Sequence, residues 1–240
     1  MQKEEKIENI LFLDIETVPQ TYSYKDIDSK TKELFDSKVR FRLNDDTTYD
    51  ELYERNAAIF AEFGKIVCVS VGFVRENNME RTIRLKSYYH DDEKTLLTQF
   101  KGLLEDYYNS SFHLLCGHNA KEFDFPYLCR RMLIHGIKLP NILNISGKKP
   151  WEIKHIDTME LWKFGDFKSY TSLALLCHVF NIPTPKDDIS GADVARVYYE
   201  EKDLERIARY CEKDVSALIQ LFLRLKGEEL VEESNIAVVE

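Results

Sequence analysis

Long apolar runs are absent from this sequence. No stretch approaches the roughly 18 consecutive apolar residues that a membrane-spanning helix needs. The N-terminus, MQKEEKIEN, alternates charges where a signal peptide would carry an apolar segment. We therefore predict a cytoplasmic protein with no membrane partner.

Cysteine is sparse and irregularly placed. The five cysteines are Cys68, Cys116, Cys129, Cys177 and Cys211, and no two of them form a C-x-x-C pair. An odd number would leave one unpaired if the others formed disulfides. We expect reduced, mostly buried thiols.

Positive charge is in deficit: 33 Lys and Arg stand against 42 Asp and Glu, which gives a formal net charge of −9. A general nucleic-acid coat protein gains its affinity by neutralising phosphates with Lys and Arg, so this charge argues against that class. It does not exclude an enzyme acting on nucleic acid, because bound divalent cations reverse the field around a cluster of carboxylates.

The length of 240 residues fits one α/β domain, and we predict a single domain over residues 1–240. Strand-like and helix-like segments alternate along most of the chain. The predicted strands are 10–13, 66–74, 82–89, 112–116 and 151–156, and the predicted helices are 92–107, 125–135, 173–180 and 204–225. This order indicates a mixed sheet of five to six strands flanked by helices, with the first three strands antiparallel neighbours. The polar stretch at about 19–60 is predicted to be a surface insertion with one or two helices.

An acidic pair ends the first predicted strand. Asp14 and Glu16 follow the apolar run Ile-Leu-Phe-Leu and lie two residues apart, so both side chains project from one face of a regular strand. Two carboxylates placed in this way can reach the same cation. Acids at strand ends are common without any function, so this pair requires further support.

A second acid stands where a predicted loop enters a helix. The segment Gly-His-Asn-Ala-Lys-Glu-Phe-Asp-Phe-Pro-Tyr-Leu begins at Gly117 and carries Asp124 near the start of that helix. An Asp that caps a helix followed by Pro in the first turn is also a common stabilising device. Taken alone, Asp124 fits either interpretation.

A third element lies within the longest predicted helix. Tyr210 and Asp214 are spaced i, i+4 and therefore share one face, whose neighbours are apolar. An unpaired carboxylate on a partly buried face is unfavourable, so Asp214 requires a cation or a strong hydrogen-bond donor. The alternative is a buried Tyr–Asp hydrogen bond with no catalytic role.

Together the three segments resemble, in order, the three motifs of the DEDD superfamily of 3′–5′ exonucleases, in its tyrosine branch. The resemblance is greatest to the exonuclease domain of family-B DNA polymerases and to predicted stand-alone exonucleases related to it, and it covers about residues 10–225. It rests on Leu-Asp-Ile-Glu-Thr at Leu13, Gly-His-Asn-x-x-x-Phe-Asp-x-Pro-Tyr-Leu at Gly117, and Tyr-Cys-x-x-Asp-Val at Tyr210. It implies an RNase H-like fold.

The resemblance also implies roles for individual residues. Two divalent cations, Mg²⁺ or Mn²⁺, would be held by the four carboxylates: Asp14, Glu16 and Asp214 for the cation that activates water, and Asp14 and Asp124 for the second. Tyr210 would position the attacking water. The family positions that contact the terminal nucleotides correspond to Thr17, Asn119 and Phe123.

The expected activity is hydrolysis of terminal phosphodiester bonds at nucleic-acid 3′ ends, with release of 5′-mononucleotides. DNA is preferred only through the polymerase resemblance, so RNA remains an alternative, and so does a binding or scaffold module that has lost catalysis. Two further polar residues stay outside the predicted site. His118 is interpreted as a turn histidine, and Asp157 as either a supporting carboxylate or a strand-end acid bonded to the backbone.

Overall fold

The protein is described by a computed structural model over residues 6–77, 80–166, 170–183 and 188–239. One six-stranded sheet forms its centre, with strand order β5-β4-β1-β2-β3-β6. The strands are β1 Ile10–Pro19, β2 Gly64–Asn77, β3 Glu80–Tyr89, β4 Leu114–Gly117, β5 Ile156–Asp157 and β6 Ile236–Val238. β1, β2 and β3 pair antiparallel, whereas β4, β5 and β6 join parallel to their neighbours.

Helices cover both faces of this sheet. They are α1 Ser29–Val39, α2 Tyr49–Asn56, α3 Glu93–Tyr107, α4 Asp124–Ile134, α5 Thr158–Lys163, α6 Leu173–Val179, α7 Val194–Arg196 and α8 Leu204–Leu225. A π-helical turn, Val197–Glu201, follows α7. The predicted α/β class, the mixed sheet and the antiparallel order of the first three strands are confirmed. No helix in the described ranges has the length and apolarity to span a membrane.

Strand β1 divides the core because its side chains alternate between the two faces of the sheet. Leu11, Leu13 and Ile15 pack with α3 and α4 on one face. Ile10 and Phe12 pack with α8 on the other, where the Phe12 and Phe222 ring centroids are 5.3 Å apart. Because the side chains alternate with a period of two residues, Asp14 and Glu16 lie on the same face as Ile10 and Phe12, which is directed at α8.

Helix α8 lies very close to the sheet. A Cβ atom at Gly72 on β2 would come within 2.7 Å of the Ile219 side chain and 2.8 Å of Val215. Glycine at this position therefore permits the close packing that brings the predicted Tyr210–Asp214 face next to β1. The sequence pattern had placed this helix at the residues observed.

Two strands differ from the sequence-based expectation. The strand predicted at 151–156 is reduced to Ile156–Asp157, with a 3-10 turn over Pro150–Glu152. The imidazole of His155 accepts a hydrogen bond from the Leu115 N–H (3.2 Å) and donates one to the Ile142 carbonyl (2.8 Å). A side chain thus satisfies the β4 amide that a longer strand would have paired. Strand β6, beyond the last predicted element, pairs with β3.

The segment between β1 and β2 forms a small core of its own. Helices α1 and α2 enclose buried apolar side chains: Ile27, Phe35, Val39, Leu52, Tyr53, Ala57 and Phe63. Both helices are capped, α1 by Asp28 and α2 by a reciprocal capping box of Thr48 and Glu51. The boundaries proposed for an insertion, about 19–60, remain a prediction. The sequence also predicts a turn at 76–79 between the second and third strands, and residues 78 and 79 of it lie outside the described ranges.

Candidate active site

The site begins on β1, beside α8. Oxygen atoms of Asp14 and Glu16 and the sulfur of Cys211 lie within 4.8 Å of one another. Cys211 is buried on α8, and its Sγ is 3.4 Å from Asp14 Oδ2 and 3.5 Å from the Asp14 carbonyl oxygen. The alternation of β1 and the close approach of α8 therefore bring the first and third predicted motifs into contact.

Helix α8 also carries Tyr210 and Asp214, which are joined by a side-chain hydrogen bond. Burial and the neighbouring Asp214 raise the pKa of the Tyr210 hydroxyl, which is therefore protonated at neutral pH. The hydrogen bond that the i, i+4 spacing allowed is present. It occurs inside a cluster of carboxylates, not in an isolated apolar pocket.

Asp124 joins this cluster from the opposite direction as the first residue of α4. Its side chain is only 4% exposed, and its carboxylate accepts a hydrogen bond from the Ile15 N–H on β1. Asp124 therefore does more than begin a helix: it contacts the strand that bears Asp14 and Glu16.

The electrostatics of the cluster are unfavourable in the absence of a cation. Burial, followed by repulsion from Asp124 and Asp214, raises the pKa of Asp14 well above its usual value. Burial, Asp14 and Asp214 do the same for the pKa of Glu16. Burial raises the pKa of Asp124 to about 7. Carboxylates that repel one another in this way mark a site that a positive ion would stabilise.

The donor set fits hard divalent cations. None of the ion pairs among the described residues involves Asp14, Glu16 or Asp124. Carboxylate oxygens are the ligands that Mg²⁺ and Mn²⁺ prefer, whereas the nearby thiol of Cys211 is a soft ligand. Burial raises the pKa of that thiol well above its usual value, which keeps it protonated.

The loop that connects β4 to α4 is held by Asp157. Asp157 Oδ1 accepts hydrogen bonds from the Asn119 N–H (2.9 Å) and the Met159 N–H (3.0 Å), and Oδ2 accepts one from the Lys121 N–H (3.0 Å). Asn119 has φ of +62°, a left-handed conformation in which Asn is among the better tolerated residues. The bond to backbone that the sequence allowed for Asp157 is observed, and the charge of Asp157 also contributes to the raised pKa of Asp124.

His118 links the loop to two later segments of the chain. One ring nitrogen lies 2.8 Å from Thr158 Oγ1 and the other 2.8 Å from the Thr171 carbonyl oxygen. Both nitrogens are therefore engaged by protein atoms. The omission of His118 from the site stays a prediction.

The three predicted nucleotide contacts lie around this loop and the end of β1. Phe123 packs on Tyr127, with ring centroids 5.3 Å apart, and Thr17 forms a side-chain hydrogen bond with the same tyrosine. The Phe123 N–H donates to the Asn119 carbonyl oxygen at 3.1 Å. Tyr127 thus links Thr17 to Phe123, and the turn links Phe123 to Asn119. Their contact with nucleotides remains a prediction.

Sequence reasoning missed the proximity of Cys211 to the cluster and treated this cysteine as core. The signal was present, because Cys211 and Asp214 are three residues apart on one helix and therefore share a face. It also missed Tyr127, whose position four residues after Phe123 places both rings on one side of α4.

A mixed sheet of this order, with acidic side chains from its central strand meeting two helices, defines the RNase H-like class. More specifically, the chain belongs to the family described as predicted 3′–5′ exonucleases related to the exonuclease domain of PolB, whose sequence model matches residues 59–234. The matched span includes Asp124, Tyr210 and Asp214. Strand β1 precedes it, so the place of Asp14 and Glu16 in the site rests on their geometry.

Individual relatives agree with the family. A DNA polymerase of Desulfurococcus sp. (strain Tok) is 26% identical over 141 residues, which cover 54% of this chain and 18% of the polymerase. The family B DNA polymerase from the hyperthermophilic archaeon Pyrobaculum calidifontis superposes with a TM-score of 0.54 at 12% identity, over 90% of this chain and 24% of that chain. The chain thus spans a quarter or less of each polymerase, and the structural likeness shows the fold.

Proposed function

We propose that this chain is a divalent-metal-dependent 3′–5′ exonuclease that removes terminal nucleotides from nucleic acid and releases 5′-mononucleotides. DNA with single-stranded 3′ ends is the preferred substrate. The observation that carries the proposal is the convergence of Asp14, Glu16, Asp124 and Asp214, which come from one strand and two helices and repel one another. Family membership supports the same chemistry.

The four carboxylates would hold two divalent cations, Mg²⁺ or Mn²⁺. Asp14, Glu16 and Asp214 serve one position, and Asp14 and Asp124 serve the other. The chemistry that such a pair supplies when bound is neutralisation of the scissile phosphate and stabilisation of the charges that develop on the attacking and leaving oxygens. The buried positions of Glu16 and Asp124 exclude bulk water from this part of the site.

Tyr210 would orient a water molecule by accepting a hydrogen bond from it. The hydroxyl is protonated and its proton is bonded to Asp214, so the lone pairs of the oxygen face the water. The raised pKa makes the group unsuited to donate a proton, and a neutral phenol is unsuited to remove one from the water. Tyr210 would therefore contribute through positioning.

Thr17, Asn119 and Phe123 would hold the terminal nucleotides. Thr17 and Asn119 offer hydrogen bonds, and the ring of Phe123 offers packing against a sugar or base. Their mutual connection through Tyr127 and the Asn119 turn gives one rigid unit. Asp157 fixes the turn through the amides of Asn119 and Lys121 and is proposed as a positioning residue.

One assay tests the proposal. The purified protein is incubated with 5′-end-labelled single-stranded DNA, duplex DNA and RNA, each with Mg²⁺, Mn²⁺ or EDTA. We expect stepwise shortening from the 3′ end of single-stranded DNA, loss of activity in EDTA and 5′-mononucleotide products. Cleavage of a closed circular single strand at a comparable rate would instead identify an endonuclease. No cleavage of any substrate with either metal would favour a silent binding module.

A further inference from the structure

A basic and aromatic surface follows α1. It consists of Lys38, Arg40, Phe41, Arg42 and Phe60, and we call it the Arg40 surface. Phe41 is 75% exposed, and Arg40 and Arg42 are also exposed. Among the described residues, neither arginine forms an ion pair. The two guanidinium groups beside an exposed ring form a local positive patch on a chain whose net charge is −9, and Lys38 in the same surface pairs with Glu62 at 3.3 Å.

The geometry of this surface is ordered by cation–π contacts. The Arg42 guanidinium carbon lies 5.5 Å from the ring centroids of both Phe41 and Phe60, and Lys38 Nζ lies 4.8 Å from the centroid of Phe60. Arg42 also donates a hydrogen bond to Asn56 Oδ1 on α2. Arg42 is therefore fixed in place, whereas Arg40 and one face of Phe41 remain free to contact a ligand.

The surface lies beside the proposed site. Tyr127, which contacts both Thr17 and Phe123, donates a 2.7 Å hydrogen bond to the carbonyl oxygen of Ala58. Phe60 is two residues from Ala58, so the two Cα atoms are within roughly 7 Å of each other. One tyrosine and one short stretch of backbone thus separate Phe60, at the edge of the Arg40 surface, from the residues proposed to hold the terminal nucleotides.

We propose that the Arg40 surface binds the single-stranded part of the substrate that lies 5′ to the terminal nucleotides. Arg40 contacts a phosphate and Phe41 stacks on a base. This inference rests on the proposed function and extends it to the segment before β2. An exposed ring beside unpaired cations is the combination by which proteins bind single strands without reading their sequence. An acidic chain with an anionic site needs such a surface to retain a polyanion.

The test compares Arg40→Gln and Phe41→Ala with the native protein on DNA oligonucleotides of increasing length, from a dinucleotide to a 20-mer. For the 20-mer we expect KM to rise about 5-fold or more in Phe41→Ala, because loss of one stacked base removes roughly 1–3 kcal/mol. Arg40→Gln should raise KM and reduce the salt slope of log K by about 0.7, the value for one phosphate contact on a single strand. The kcat for the 20-mer and both constants for the dinucleotide should not change.

Two further variants serve as controls. Arg40→Lys keeps the charge and should restore most of the binding to the 20-mer. Lys138→Gln removes an exposed cation beyond the far end of α4 and should leave all constants at native values. Both altered positions of the Arg40 surface are exposed, so equal melting temperatures are expected and are measured first.

Binding of a fluorescent 20-mer in EDTA separates this inference from the proposed function. If the native protein cleaves nothing but Phe41→Ala weakens binding of the 20-mer, the surface stands and the exonuclease proposal fails. If cleavage occurs but both variants bind the 20-mer as the native protein does, the surface assignment is wrong. Equal losses on dinucleotide and 20-mer would also overturn it. The assignment would also be wrong if both variants bound the 20-mer as the native protein does but no longer sedimented with vesicles of anionic phospholipid. That result would assign the surface to a membrane.

Discussion

Two groups of carboxylates in this protein, both mostly buried, have opposite surroundings. Glu93, at the start of α3, is 5% exposed and fully paired: it accepts hydrogen bonds from Arg131 Nε (2.9 Å), His135 Nε2 (2.6 Å) and the Ile66 N–H (2.7 Å). Asp14, Glu16 and Asp124 lie close to one another and to Asp214, and within the described ranges none of the first three forms an ion pair with a cationic side chain.

The difference separates an acid that stabilises the fold from the acids that we propose as metal ligands. A buried carboxylate that has a guanidinium partner is stable as it stands, and removal of either partner leaves an uncompensated charge. A buried carboxylate among other carboxylates lowers the stability of the metal-free protein and persists only where another requirement maintains it. The two groups should therefore respond in opposite directions to mutation, metal and pH.

The largest expected effect is the loss of activity in Asp14→Ala and in Asp214→Ala. Each variant removes a proposed metal ligand, so cleavage of a labelled single strand in saturating Mg²⁺ should fall to background. In EDTA the melting temperature of Asp14→Ala should not fall, because one of several mutually repelling charges has been removed. Near-normal turnover of either variant would show that the residue is not a ligand.

The next effect concerns Tyr210→Phe, which removes the hydroxyl and keeps the ring packed on α8. Positioning groups of this kind typically contribute about 10² to 10⁴ in rate, so kcat should drop within that range. Metal affinity and melting temperature should remain close to native. Isothermal titration calorimetry with Mn²⁺ measures the metal affinity, and differential scanning calorimetry measures the melting temperature.

Two outcomes would change the division of roles on α8. Native turnover in Tyr210→Phe would leave Tyr210 as a buried aromatic residue. A joint loss of turnover and Mn²⁺ binding would show that Tyr210 holds Asp214 in place through their hydrogen bond.

Glu93→Gln tests the other half of the comparison. Arg131 is buried, and without the carboxylate its charge has no partner, so the free energy of unfolding should fall by about 3–5 kcal/mol. This loss should be the same in EDTA and in Mg²⁺, since Glu93 lies outside the cluster. Urea denaturation measures it, and Glu16→Gln is the matched control, with no destabilisation expected in EDTA. A stable Glu93→Gln protein would remove the contrast between the two groups.

The arrangement of side chains within each motif was predictable because it is local, whereas the convergence of the three motifs was implied only by the family resemblance. Alternation along β1 fixes the face of Asp14 and Glu16, and helical spacing fixes that of Tyr210 and Asp214. The bounds of α8 were predicted correctly because a long amphipathic pattern leaves little freedom in where the helix begins and ends. The predicted RNase H-like fold is confirmed.

Long-range pairings were not predictable from spacing. Nothing local indicates that His155 would satisfy the Leu115 amide and shorten β5, or that Ile236 would pair beside Ile83 to form β6. The pairing of Glu93 with Arg131 joins residues 38 apart in sequence. Each depends on which surfaces meet after folding, a property that single-residue patterns do not carry.

The smallest expected effect is the pH dependence of the free energy of unfolding of the metal-free protein. The sign of this dependence adds to the contrast between the two groups of carboxylates. Burial raises the pKa of Asp124 from its ordinary value of 3.8 to about 7 in the folded protein, so the folded protein holds this proton more tightly than the unfolded chain does. Below about pH 4 both states are protonated and nothing is lost. As pH rises from about 4 to about 7, the native state keeps a proton that the unfolded chain has lost. The contribution of this residue to the free energy of unfolding therefore falls, by on the order of 2 kcal/mol between pH 5 and 7.

We therefore expect the free energy of unfolding in EDTA to decrease over this window more steeply in the native protein than in Asp124→Asn. Excess Mg²⁺ should remove the difference, because a bound cation favours the ionised carboxylate. Urea denaturation at pH 5, 6 and 7 measures both arms, and parallel profiles of the two proteins in EDTA would show that Asp124 is not held protonated by the site.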